Sequence, residues 1–274
     1  MATIKLAAAG LALAALAGCG GGDADVALED TAPDVIFVRA EAELAQNDPE
    51  GAAQLFSEVE RLYPYSDFAR RALIMQAFAY HEARDYESAR AAAQRFLDFY
   101  PADGDAAYAQ YLLALSYYDQ IDLVGRDQGL TFQALQGLRE VIERYPDSEY
   151  ARSAMLKFDL AFDHLAAKEM EIGRYYLKRG HHAAAINRFR AVVEEFETTS
   201  HTPEALMRLV EAYLSLGLNA EAQTAGAILG HNFRGSPFYQ DAYGQLTGRG
   251  LPLEARGSNW LAEIYRQTIA GNWL

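Results

Sequence analysis

Side chains able to do chemistry are few here, and their spacing is poor. His181 and His182 are adjacent, so on a helix they face different directions and make a poor metal pair. His81, His164, His201 and His231 are isolated, and Glu194-Glu195 belongs to a run of carboxylates that a solvated face accounts for. No Gly-x-Ser-x-Gly elbow, phosphate-binding loop, zinc spacing or dinucleotide fingerprint occurs. The expectation is a protein that is not an enzyme and needs no metal or catalytic cofactor. One group stands out by its setting. The single cysteine, Cys19, excludes an internal disulfide framework and ends an apolar leader.

Residues 1–19 run from Met1-Ala2-Thr3-Ile4-Lys5 through a nearly unbroken stretch of Leu, Ala and Gly. One positive charge, a short apolar core and small residues before the break describe a secretory signal, too short for a stable membrane span. Leu16-Ala17-Gly18-Cys19 resembles the lipobox of bacterial lipoproteins; the alternative is an ordinary signal peptide with a chance cysteine. The lipobox resemblance implies a leader at 1–18 and a mature chain starting at Cys19, which carries a thioether diacylglycerol and an amide-linked acyl chain. Three acyl chains, at about 0.8 kcal/mol per buried CH₂, anchor a protein without a transmembrane helix. Gly20 after the cysteine, by the same resemblance, favours the outer membrane of a Gram-negative cell. Residues 19–33, small and acidic from Gly20-Gly21-Gly22-Asp23 onward, are expected to be a flexible tether that leaves the folded part on the periplasmic face.

The elements that follow are helices with an internal echo. Ala134, Leu138, Val141, Ile142 and Tyr145 fall on one helical face, and Pro146 cannot continue it. The pattern stands earlier at Ala52, Phe56, Val59, Tyr63 and Pro64, more weakly at Ala89, Ala93, Phe96, Tyr100 and Pro101, and later at Ala185, Phe189, Val192 and Phe196 with Glu197 for proline. Ala77 and Tyr80 precede the second copy, as Gly173 and Tyr176 precede the fourth. These residues resemble the tetratricopeptide repeat, a helix–turn–helix unit of roughly 34 residues. The implied fold is an all-α superhelix of about five units over residues 34–235, followed by a carboxy-terminal helical extension, 236–274. That extension, with Trp260, Ile264, Tyr265, Ile269 and Trp273, either caps the last repeat or docks on another subunit.

The closing prolines 64, 101 and 146 are 37 and then 45 residues apart, which puts an insertion near Asp119–Thr131. Helices are expected at about 34–47, 51–63, 66–82, 85–100 and 104–120, with a loop at 121–128. A long helix over about 151–167 precedes the dense segment 168–180. Tyr108, Tyr111, Leu112, Leu115 and Tyr118 form a stripe read as core that in part lines the concave face. Arg126-Asp127 is a local ion pair or a partner contact. With 51% hydrophobic residues the chain can bury a substantial core. A net charge of −14 argues against nucleic acid and anionic lipid surfaces, and fits a protein partner with a basic patch.

The segments Tyr175-Tyr176-Leu177-Lys178-Arg179-Gly180 and Ile186-Asn187-Arg188, with Arg144-Tyr145-Pro146-Asp147-Ser148, narrow the resemblance. They look like the BamD family, lipoprotein subunits of the outer-membrane β-barrel assembly machinery. The likeness covers roughly residues 19–235. It implies a non-enzymatic scaffold whose carboxy-terminal repeats grip the periplasmic POTRA domains of BamA within the multisubunit machine. Arg188, matching the family's Asn-Arg, would pair with a BamA carboxylate, with Arg179 as a second contact. A solvated or intramolecular pair is the alternative for each. By the same resemblance the amino-terminal repeats receive unfolded outer-membrane barrel proteins. Tyr63, Tyr65, Phe68 and Tyr80 are the candidate pocket, with core packing the competing role of each. Another periplasmic tetratricopeptide adaptor, coordinating cell-wall synthesis with division, is the alternative function.

Overall fold

A computed structural model describes residues 28–256 and 260–264. Cys19 with its leader and the tether up to residue 27, and Tyr265, Ile269 and Trp273, lie outside the described residues. The flexible tether expected as far as residue 33 is corrected at its end: Leu28–Asp30 form the 3₁₀ turn, Thr31 is held by the Tyr63 hydroxyl, and Pro33 opens the first helix. Twelve α-helices follow a short 3₁₀ turn, and no strand occurs among the described residues. Five antiparallel pairs come first: α1 (Pro33–Ala45) with α2 (Pro49–Leu62), α3 (Asp67–Glu82) with α4 (Tyr86–Phe99), α5 (Ala106–Tyr118) with α6 (Gly129–Arg144), α7 (Glu149–Lys178) with α8 (His182–Glu195), and α9 (Thr202–Ser215) with α10 (Asn219–Asn232). Then come α11 (Pro237–Thr247) and α12 (Trp260–Ile264). Each pair also packs on the next, so the all-α tetratricopeptide superhelix expected from the sequence is the observed fold.

Local chemistry explains where the helices start and stop. Proline opens α1, α2 and α11 at a position whose N–H would be orphaned anyway. Asp48, Ser66 and Asp85 accept hydrogen bonds from the backbone N–H of Gly51, Ala69 and Ser88 at 2.9, 3.1 and 3.2 Å. The second helix of every pair ends on an aromatic outside the helical region: Tyr63, Tyr100, Tyr145, Phe196 and Phe233. The fifth copy, unseen in the sequence, is Ala222, Gly226, Leu229 and Phe233. Gly226 stands where the first copy has Phe56, and a Cβ there would run into Leu246 of α11. A fully buried leucine from outside the repeat thus fills the missing ring's place.

The loop between α5 and α6, Asp119–Gln128, is the predicted insertion. Arg126 pairs locally, 3.8 Å from Asp122, while Lys168 of α7 donates to the Gly125 carbonyl at 2.8 Å. The aromatic stripe of α5 is core: Tyr111 and Leu112 are buried, and Tyr108 and Tyr111 pack on Tyr150 of α7, ring centroids 5.1 and 5.4 Å away.

One expectation needs correcting. Residues 151–167 and 168–180 are not separate segments but one helix of 30 residues, because no proline or left-handed residue interrupts it before Gly180. Pro146 and Glu197, the closing positions on either side, stand 51 residues apart, against roughly 34 for one unit. The excess is the first half of α7. Its second half pairs with the 14-residue α8.

The described part of the extension packs on the last repeat. α11 lies against α9 and α10. Gln223 donates to the Pro252 carbonyl at 2.8 Å, and the Thr224 hydroxyl meets both the carbonyl and the N–H of Arg256 at 2.7 and 2.9 Å. Trp260 donates its indole N–H to the Tyr213 hydroxyl at 3.2 Å.

Candidate partner-docking surfaces

Arg188 lies two turns into α8, and its helix is fixed by Phe189 next to it, fully buried against α7. A Cβ at Gly173 would strike the Phe189 ring, so glycine at that position sets the close approach of α7 and α8. From this rigid base the Arg188 side chain, 43% exposed, reaches Glu169 of α7, Nη1 to Oε2 at 3.0 Å. The pair is intramolecular. Among the described residues only Nη1 is engaged, and a guanidinium has five N–H donors, so Nε and Nη2 remain available to a second carboxylate. The carboxylate of Glu169 was not legible beforehand, being 19 residues away across a turn.

Arg179, one turn-length before α8, is exposed and stacks over the Tyr175 ring at 4.6 Å. Tyr175 meets Tyr176 edge-on, with ring centroids 5.7 Å apart. Arg179 and Tyr175 make a cation–π pair open to solvent. Further along, Arg190 binds Glu194 at 2.8 Å and lies 4.8 Å over Trp260. The Glu194 hydrogen bond raises the Arg190 pKa still further. Arg174 and Arg208 converge on Glu204 at 3.0 and 3.3 Å, and Arg208 also reaches Glu211 at 2.9 Å. Burial works against charge on Arg208, and the two carboxylates outweigh it, so its pKa rises.

The four amino-terminal aromatics do not converge on one pocket. Tyr63 is tied down, its hydroxyl donating to the Thr31 carbonyl at 2.7 Å. Phe68 packs on Phe37 with centroids 5.6 Å apart, in a cluster with the Arg71 guanidinium 4.7 Å over Phe37. Tyr65 is fully exposed at the turn. Tyr80 is twelve residues after Phe68 on α3, about 18 Å along the axis at 1.5 Å per residue. It lines a different groove of about 560 Å³, with Leu28, Arg39, Glu43 and Leu55.

Among the described residues no group of three His, Cys, Asp or Glu side chains is placed to hold a metal ion. No described helix is long and apolar enough to cross a membrane. Sequence reasoning missed the outer face of the first half of α7, where Met155, Leu156 and Leu160 are exposed, and the exposed Phe132 of α6.

The family YfiO, described as an outer membrane lipoprotein, matches residues 29–228. A Caulobacter vibrioides protein named outer membrane protein assembly factor BamD is 48% identical, over 90% of this chain and 84% of its own. A Rickettsia prowazekii protein of the same name is 44% identical, over 70% of this chain and 76% of its own. Among solved structures, a tetratricopeptide protein of Thermus thermophilus covers 79% of this chain and aligns over all of its own, with a TM-score of 0.37 and 18% identity.

Proposed function

We propose, on the premise that this chain belongs to the YfiO family of outer membrane lipoproteins, that it is a non-enzymatic scaffold subunit of the β-barrel assembly machinery. Its likeness to proteins named as assembly factors, over 90% of this chain in one and 70% in another, carries the reading. In it, Cys19 bears the diacylglycerol and acyl chain that hold the protein to the periplasmic face of the outer membrane. The tether lets the superhelix stand off that surface, and the described packing of α11 and residues 251–256 on the last repeat supports a capping role for the extension.

The carboxy-terminal repeats dock on BamA POTRA domains, with Arg188 at the contact and Arg179 beside it. Glu169 supports this role by holding the guanidinium in place while leaving donors free, so a partner carboxylate completes a charge-assisted pair at low ordering cost. The amino-terminal repeats receive unfolded outer-membrane proteins. There Tyr65 is the exposed aromatic and Tyr80 lines a separate groove, while Tyr63 and Phe68 are half-buried and held within the fold.

The test is affinity purification of tagged protein from detergent-solubilised envelopes, comparing wild type with Arg188→Glu and Glu169→Gln. Reversing the charge is expected to weaken BamA association by about 2–5 kcal/mol, as for a desolvated interface pair. Glu169→Gln, which leaves Arg188 in place, is expected to keep the complex. Equal recovery of BamA in all three would remove Arg188 from the interface. Cell-wall enzymes in place of BamA would replace the whole reading with the adaptor one.

A further inference from the structure

The two halves of α7 have different neighbours. Residues 163–178 lie between their own repeat partner α8 and the rest of the core, and the end of that cover is marked by Asp163. Its carboxylate accepts from the N–H and hydroxyl of Ser200 at 2.9 and 2.8 Å and meets His201 at 3.2 Å, pinning the α8–α9 turn at this level. The preceding residues, 149–162, project past that turn. Their inner side packs on α5 and α6 through Tyr150 and Ala154, but among the described residues no second helix covers their outer side. The uncovered stretch is 14 residues, about 21 Å, the length of α8 itself.

This bare side is apolar. Met155, Leu156 and Leu160, at i, i+1 and i+5, are 51, 61 and 63% exposed, and Phe132 on α6 is 60% exposed. Two hollows of about 560 and 660 Å³ flank the stripe and share Phe162 as a common wall. Leu156 and Leu160, one turn apart, line one of these hollows and are more than half in water, as is Phe132, which lines the other; such a patch is unlike scattered surface residues. Their rim is acidic at one end, with Asp159, Asp163 and Glu195. Among the described residues Asp159 has no ion-pair partner; His201 already meets Asp163, and Arg139, which lines the first hollow, lies 5.5 Å over Phe158. Arg152 stands at the other end, one turn before Leu156.

We propose that the outer face of residues 149–162 is a docking groove for an amphipathic helix of about four turns from another protein, with Lys or Arg at the end lying over Asp159 and Asp163. The helix supplies the missing second element of this half-repeat, apolar side chains at i, i+3 or i+4 and i+7 entering the two hollows. This chain's own segments do not fit. The stretch before residue 28 carries Asp23 and Asp25 and runs into Glu29 and Asp30, which the acidic rim repels. The stretch after Ile264 starts from α12, which packs on α10 of the last repeat. A second copy, with net charge −14, would set acid against acid. The groove is separate from the Arg188 surface and does not depend on the docking proposed there.

The experiment places a photo-reactive benzoylphenylalanine at Met155 in the full-length chain, irradiates intact envelopes, and sequences the cross-linked peptide by mass spectrometry. The expected result is a segment of another protein with apolar residues at helical spacing and a terminal Lys or Arg. Its yield should fall about tenfold with Leu160→Glu, and again with Asp159→Lys, the loss expected when one well-packed anchor or one charge contact of an interface is removed. Both substitutions are at exposed positions, and an unchanged circular dichroism spectrum verifies the fold. Absence of a cross-link, a product with lipid, with this chain itself or with an acidic or non-amphipathic segment, or a yield indifferent to both substitutions would overturn the proposal.

Discussion

The two halves of α7 share one helix, one hydrophobic period and nearly one composition, yet they are used differently. In the covered half, Ala166, Met170 and Gly173 are buried, and small residues set how closely α8 approaches. In the other half, Ala151, Ala154 and Ala161 are buried on the inner side, while large residues stand in water on the outer side. A helix does not specify its burial by periodicity alone; the stripe is filled by whatever element lies beside it. Where the repeat supplies that element, glycine and alanine suffice along the seam. Where it does not, methionine and leucine remain at the surface, which an isolated domain would replace with polar groups.

The sharpest way to break the contrast is in the covered half. Phe189→Ala removes a fully buried ring between α7 and α8 and is expected to lose about 3–5 kcal/mol, read as a lower urea midpoint. A loss under 1 kcal/mol would mean that the second half of α7 is not held by α8. Gly173→Ala comes next. Alanine favours a helix by about 1 kcal/mol over glycine, but its Cβ would meet the Phe189 ring. The clash wins because a ring in a packed core cannot give way, and a net loss of about 1–3 kcal/mol is expected. Stabilisation would show that the two helices are not in close approach.

A smaller effect tests the inner side of the uncovered half. Tyr108 stacks on Tyr150, and burial pushes its pKa up to about 12. The charged phenolate is disfavoured in the folded state relative to the unfolded chain, whose tyrosines titrate near 10. The folded pKa is therefore the higher one. The contribution is whole below pH 10 and is lost as pH rises through about 12, because the unfolded state gives up its proton first. Tyr108→Phe keeps the ring stack and should flatten part of that alkaline decline, leaving the share due to Tyr150, which burial also raises. An identical decline in the variant would place Tyr108 in water.

Much of the fold was legible because the repeat has a chemical signature. Ala, a large apolar residue, a branched or aromatic one and a closing aromatic recur where two helices cross, and Ala52, Ala134 and Ala185 announce three crossings directly. The fifth was silent because Gly226 stands where a large residue was sought, and the residue that fills the gap, Leu246, belongs to a later helix. The length of α7 could have been inferred by counting from Pro146 to Glu197, since a helix with no break residue continues by default. The candidate surfaces were less legible. Arg188 could be picked out by type and context, but Glu169 becomes its neighbour only when α8 folds back on α7. Helical arithmetic alone separates Phe68 from Tyr80, two residues grouped by aromatic type.

The smallest effect is the most discriminating for the outer face. Leu160→Ala removes the same atoms as a leucine truncation in the core, which is worth about 2–5 kcal/mol when the side chain is fully enclosed. At Leu160 most of those atoms already touch water, so little transfer energy is lost and no closed cavity is left behind. Alanine is also the better helix former, which offsets part of the remainder. The expected change in the unfolding free energy of the isolated protein is within about 0.5 kcal/mol of zero. A loss above 2 kcal/mol would mean that some part of this chain, beyond the described residues, already lies over α7. A near-zero value leaves the leucine's large exposed area without a role in folding, so its retention has to be sought in what binds there.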